Sequence, residues 1–316
     1  MLTKIDRKRT LIYLALAFGI SWVTALIIYF TGGLENSPSI DFAGSSLPLS
    51  LILLATGYMF GPAIANVLTR VLTKEDASDL NLAPHFHDGR WKYFLAAWLF
   101  PPLLTIVGMV IYFLLFPANY DPQLNMLIDQ IGSMQNLQGI SPWTIIVLQT
   151  LQSIIIAPLL NAIPTFGEEF GWRGYLQPKL MPLGRRKAIL LTGVIWGVWH
   201  WPVILMGYNY GLDYVGAPWL GLPAMVLFTL TVAALLGWVT IKAQNVWPAV
   251  IGHGALNGIA SLGLLFVKGN PNLLLGPAPV GVVGGTGFFL AAVLIFLIPS
   301  ALEPGKSKNK MTGESN

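Results

Sequence analysis

Apolar residues in this sequence gather into long, nearly unbroken runs, near 11–30, 48–72, 91–116, 143–163, 188–207, 219–241, 246–267 and 280–300. Each run approaches the roughly 20 residues that a helix needs to cross the hydrocarbon core of a bilayer. Backbone amides find no water there, so only helices and closed barrels can span, and a barrel would show short alternating segments instead. The pattern predicts an all-α, polytopic integral membrane helix bundle of about eight transmembrane helices. Pro158 and Pro164 interrupt the run after 143, which leaves open a second, broken helix beyond 164. The opening Met-Leu-Thr-Lys-Ile-Asp-Arg-Lys-Arg could begin a signal peptide. The run behind it has the length of a span and no small-residue exit, so it is expected to remain as the first helix.

Composition sharpens this picture. The 316 residues are 54% hydrophobic and only 10% charged, against about 25% charged in soluble domains. The absence of Cys removes disulfides, thiol nucleophiles and thiolate metal sites from consideration. No internal repeat or second domain is evident. The expected organisation is a single transmembrane domain over 1–302 followed by a polar cytoplasmic tail, 303–316.

Charge sets an orientation, because Lys and Arg near span ends prefer the cytoplasmic side. Lys4, Arg7, Lys8 and Arg9 precede the first span, so the N-terminus is expected inside. Alternation then places Arg70, Lys74, Arg90, Lys92, Lys179, Arg185, Arg186, Lys187 and Lys242 inside, with Lys306, Lys308 and Lys310 of the tail. The loops around 31–47, 117–142 and 207–218 carry no Lys or Arg, and Lys268 is the exception once Arg173 is set aside. Both termini are thus expected on the cytoplasmic side of the cell membrane. The net charge of +4 reports this orientation. The basic residues are scattered among loops, so no nucleic-acid face is expected.

Ionisable residues within spans cost roughly 2.5–3.5 kcal/mol each on insertion scales, which makes them candidates for function. The segment Pro164-Thr-Phe-Gly-Glu-Glu-Phe-Gly-Trp-Arg-Gly holds Glu168, Glu169 and Arg173 in an apolar, aromatic setting. On a helix Glu169 and Arg173 are one turn apart and can pair. Glu168, about 100° round the helix, is left free to face a cavity. A structural reading competes: Thr165-x-x-Glu168 has the form of a capping box, and the cluster could be an interfacial ion network. Further along, Trp196-Gly-Val-Trp-His-Trp-Pro puts His200 in the fifth span with Trp196 one turn earlier. Ile251-Gly-His-Gly-Ala-Leu-Asn-Gly puts His253 and Asn257 at i, i+4 in the seventh, among small residues that allow close approach. A lone buried His is more often packing than chemistry, but two with an Asn beside a Glu-Glu-Arg cluster are harder to dismiss. His85 and His87 fall in a charged loop and read as solvated.

At these residues the sequence resembles the CPBP family, the CAAX-protease and bacteriocin-processing membrane proteins that include Rce1-type prenyl-protein endopeptidases. The family's Glu-Glu-x-x-x-Arg element matches Glu168, Glu169 and Arg173, and its His-x-x-x-Asn element matches His253 and Asn257. Its Phe-x-x-x-His element matches Trp196 to His200 with Trp in place of Phe, a change expected to affect pocket shape more than chemistry. The three motifs stand in family order over roughly 160–260. The resemblance implies an intramembrane glutamic endopeptidase with no cofactor. Glu168 would act as general base with His200 helping to hold the water. His253 and Asn257 would stabilise the oxyanion, and Glu169 and Arg173 would orient the site. Its partners would be the bilayer and a membrane-associated peptide or protein substrate, prenylated or not.

Other classes remain open on the residues alone. Glu168, His200 and His253 form a chemically suitable zinc set, although no further carboxylate in the spans is evident to back the histidines. A non-catalytic interaction or immunity protein could use the same scaffold. A transporter would show repeated halves, which are absent here. No Gly-x-Ser-Gly occurs, and every Asp falls in a loop or the tail, which argues against serine and aspartyl intramembrane proteases.

Overall fold

The computed structural model describes residues 3–42, 45–77, 80, 82–84, 86–132 and 139–305. His85 and the tail lysines Lys306, Lys308 and Lys310 lie outside the described residues. The described residues are mostly helical, with one small antiparallel pair of strands among them, β1 (Ser39–Phe42) and β2 (Ser45–Pro48). Among the described residues five helices are long and apolar enough to cross a membrane. They are α1 (Lys4–Phe30), α2 (Leu49–Thr73), α3 (Trp91–Leu115) and, after shorter helices, Gly221–Ala243 and Trp247–Phe266. A sixth crossing is available if two helices bent by 48°, Pro142–Ile155 and Ala157–Leu183, count as one span. In chain order the elements after α3 are α4 (Asn125–Gly132), α5 (Pro142–Ile155), α6 (Ala157–Leu183), α7 (Arg185–Trp199) and α8 (Trp201–Leu205). They are followed by α9 (Gly221–Ala243), α10 (Trp247–Ile259) and α11 (Thr286–Leu297).

The multi-pass, all-α class agrees with the hydropathy pattern, while the count of eight does not follow from helix length. The expected spans at 188–207 and 280–300 are helices of 15 and 12 residues. At about 1.5 Å per residue neither covers a hydrocarbon core of about 30 Å. Pro202 explains the first, since a proline has no N–H for the carbonyl four residues back, here that of Val198, and α7 stops at Trp199. The run Gly276-Pro-Ala-Pro-Val-Gly-Val-Val-Gly-Gly explains the second, because Gly and Pro are poor helix formers and α11 begins only at Thr286. The break near 160 is also displaced. Pro164 sits inside α6 and the chain bends at Ile156, ahead of Pro158. Pro158 has no N–H for the Ile154 carbonyl, which instead accepts from the indole of Trp98 at 2.6 Å.

Packing places α6 at the centre of the functional half. It lies against α10 and α2, α9 packs on α7, and α3 supports α10. Apolar residues on the outer faces, such as Leu26, Val71, Leu114 and Leu160, are exposed, as expected of surfaces that meet lipid. Buried polar side chains tie helix to helix where no water is present. Asn66 donates to the Phe170 carbonyl at 2.9 Å, Thr165 to that of Val250 at 3.0 Å, and Ser21 to that of Tyr58 at 2.8 Å. Glycines permit the tightest approach. A Cβ on Gly171 would stand 2.4 Å from the Pro62 side chain and 2.5 Å from the Tyr13 hydroxyl. Gly171→Ala should therefore cost about 1–3 kcal/mol through overpacking. Thermal unfolding in detergent should register it, whereas Gly19→Ala, whose Cβ meets nothing within 4 Å, should leave the midpoint unmoved or raise it. Equal midpoints for the two variants would refute this close contact.

Candidate active site

Three helices bring the charged and polar residues together. α6 carries Glu168 and Glu169, both buried, and after Gly171 it loosens into a π-helical turn, Trp172–Leu176, on which Arg173 sits. Such single turns are frequent at functional sites. Thr165 does not cap this helix, since its hydroxyl donates to the carbonyls of Asn161 and Val250, so the capping-box reading of Glu168 falls away. α7 supplies Trp196 and ends at His200, and α10 supplies His253 and Asn257.

The expected Glu169–Arg173 pair is formed, with Nη1 donating to Oε1 at 2.8 Å and both side chains excluded from solvent. The sequence reading did not foresee that the same oxygen also bonds across to α10. His253 Nδ1 lies 2.9 Å from Glu169 Oε1. An ionised carboxylate can only accept, so Nδ1 carries the proton. The histidines therefore do have a carboxylate behind one of them, contrary to the expectation that no such group existed. His200 is held differently: its Nδ1 donates to the Trp196 carbonyl at 2.8 Å. In the neutral ring this leaves Nε2 as an acceptor.

Glu168 is free of the ion pair and, among the described residues, takes a single hydrogen bond, from Trp196 Nε1 to Oε2 at 2.7 Å. Trp196 thus does more than shape the pocket. Its indole donates to Glu168, its ring lies 4.5 Å from the Arg173 guanidinium carbon, and it meets His253 edge-on at 5.3 Å. A phenylalanine could make the ring contacts but not the hydrogen bond.

These side chains line one cavity of about 410 Å³ whose wall includes Glu168, Trp196, His200, His253 and Asn257. Glu169 and Arg173 lie behind that wall. Further lining residues, Tyr58, Asn161 and Tyr208 among them, carry no signal in the motifs. Tyr58 donates to the Trp199 carbonyl at 2.5 Å, Asn161 donates to the Gly254 carbonyl at 3.1 Å, and exposed Tyr208 borders the opening. A polar Asn within an apolar helix was a usable signal for Asn161, whereas tyrosines are too common at membrane interfaces to stand out. His87 lies in a turn remote in sequence from this cluster and is solvent-exposed. Among the described residues no group of three or more His, Asp or Glu is gathered closely enough to hold a metal ion.

The arrangement suits hydrolysis: a carboxylate facing a cavity, an imidazole acceptor lining the same cavity, and a second imidazole with an amide on α10. Comparison with known proteins points the same way. The family described as type II CAAX prenyl endopeptidase Rce1-like matches residues 143–259, a segment that holds all of these motif residues. The chain is also similar to CAAX prenyl protease 2 of Methanococcus maripaludis. The two are 24% identical over 240 residues, which cover 75% of this chain and 80% of that protein.

Proposed function

With this chain placed among the membrane proteases of the CAAX-protease (CPBP) family by its Rce1-like segment, we propose that it is a glutamate-dependent intramembrane endopeptidase acting at the 410 Å³ cavity. The observation that carries the reading is the different holding of two adjacent carboxylates. Glu169 is neutralised between Arg173 and His253, while Glu168 faces the cavity with one neutral donor.

Glu168, with His200 Nε2 as a second acceptor, takes a proton from a bound water as it attacks the scissile carbonyl. No covalent enzyme intermediate forms, and the proton passes on to the departing amine. The oxyanion that develops is met by His253 Nε2 and the Asn257 amide. His253 donates from Nε2 only as the imidazolium, and the Glu169 carboxylate that accepts from its Nδ1 orients the ring. The substrate is a membrane-associated peptide or protein, prenylated or not, and no cofactor takes part.

A zinc hydrolase gains one point from the structure. The carboxylate behind His253 and the carbonyl behind His200 are the kind of support that metal-ligating histidines receive. A single assay separates the two readings: cleavage of quenched fluorescent peptides, prenylated and unprenylated, by detergent-purified protein with and without a zinc chelator. Activity that survives chelation and Lys268→Ala but not Glu168→Ala supports the glutamate mechanism. Loss on chelation with recovery on adding zinc overturns it.

Trp196→Phe probes the indole donor. Removing it while keeping the ring should lower kcat about 10- to 100-fold with little change in KM, since a misplaced base loses rate before it loses binding. Unchanged kcat would show that the hydrogen bond to Glu168 does not position it.

A further inference from the structure

The two ends of the bundle differ in charge, and the cavity reaches only one of them. Side-chain contacts identify the first end. Arg9 of α1 lies 3.4 Å from Glu75, which follows α2, and Glu75 also accepts from Tyr175 at 2.9 Å and from Lys179 near the end of α6. Arg90, just before α3, reaches the carbonyl of Ala243 at the end of α9 at 3.4 Å, and Lys242 reaches that of Ser300 at 2.6 Å. Contacts also join the opposite end. The Asp121 amide donates to the Phe266 carbonyl at 2.9 Å, that of Lys268 to Asn119 at 2.8 Å, and the Tyr210 hydroxyl to Val280 at 3.0 Å. Among the described residues, every Lys and Arg except buried Arg173 and Lys268 belongs to the first end. By the preference of basic residues for the cytoplasmic side, the first end is cytoplasmic.

The cavity extends from Glu168 toward the other end. Leu51 and Leu54 belong to the first turns of α2, and Met225 and Phe228 to those of α9, and both helices start at the end poor in Lys and Arg. Asn257 lies toward the far end of α10, which starts at the basic end, and Ala260 just past that end. Tyr208 and Asn209, both exposed, come from the loop behind α8 and border the mouth. On the cytoplasmic side of Glu168 the fully buried Glu169–Arg173 pair and Trp172 separate this cavity from another, of about 770 Å³, that lies at the basic end and is lined by Arg173, Arg90 and Arg185 but not by Glu168.

We infer that the site takes its substrate from the non-cytoplasmic face: a peptide segment that emerges from, or lies against, the outer leaflet. This rests on the peptidase reading for what happens at the site, but its geometry stands without it. A lipidated C-terminus held at the cytoplasmic leaflet would meet the closed end of the cavity. The class favoured is instead the external juxtamembrane stretch of a membrane protein, or an exported peptide.

The chain contains no Cys, so single-Cys variants report their own accessibility. Asn209→Cys at the mouth, Ala260→Cys on the cavity wall and Lys187→Cys at the basic end would be treated in intact cells with a membrane-impermeant maleimide. Each signal would be scaled to labelling of the same variant after solubilisation. Asn209→Cys and Ala260→Cys should label in intact cells, and Lys187→Cys only after lysis. The reverse pattern, or an Ala260→Cys signal that appears only after lysis, overturns the inference. Labelling needs no catalysis, so a chain that cleaves nothing would still give the predicted pattern, and the two readings fail separately.

Discussion

Glu168→Gln is expected to lower peptide cleavage by about 10²–10⁴-fold, the contribution typical of a positioned general base, while leaving the folded protein intact. The amide has the shape of the carboxyl group, and its oxygen can still accept from Trp196 Nε1, the hydrogen bond that holds Glu168. It cannot take a proton from water at neutral pH. Because Glu168 lies outside the Glu169–Arg173 pair, the substitution strands no buried counter-charge. Activity and stability should therefore separate: turnover lost, thermal midpoint in detergent unchanged. Retention of more than about a tenth of wild-type activity would leave too little for a general base to account for, and Glu168 would then have to be read as structural.

Glu169→Ala should produce the opposite separation, with stability failing first. Glu169 Oε1 accepts from Arg173 at 2.8 Å and from His253 at 2.9 Å, in a place where both it and Arg173 are excluded from solvent. Removing one member of a buried ion pair costs roughly 3–5 kcal/mol, because the other charge is left without a partner. The Nε and Nη2 groups of Arg173 already lack hydrogen-bond partners among the described residues, so no second acceptor stands ready. The double variant Glu169→Gln with Arg173→Met removes both charges and should regain a large part of the loss. A thermal double-mutant cycle would measure the coupling. Its activity should stay low, because His253 would lose the carboxylate that holds its Nδ1. Additive effects in the cycle, or a Glu169→Ala protein as stable as wild type, would disprove the coupling.

The two variants also show which parts of the site were legible in the sequence. The Glu169–Arg173 pair was readable because residues four apart on a helix are neighbours whatever surrounds them. The contact of Glu169 with His253 joins residues 84 positions apart, and no local spacing encodes it. In the sequence Trp196 is an aromatic at a family position, yet its contact with Glu168 depends on how α7 faces α6. The capping box at Thr165 was a local pattern defeated by a neighbour, since the hydroxyl found the Val250 carbonyl on α10.

By itself the sequence determined the membrane class, the all-α architecture and the identity of the unusual polar residues. Each of these follows from forces that act along a single segment: the length of an apolar run, the need to satisfy its own amides, and the cost of a charge in lipid. Tertiary structure alone decided which of two adjacent glutamates faces the cavity and which is bound up behind it, and toward which end of the bundle that cavity runs. Those outcomes depend on the rotation of one helix against another. Inside a bilayer that rotation is set by side-chain packing and interhelical hydrogen bonds, because apolar residues meet lipid and protein on nearly equal terms.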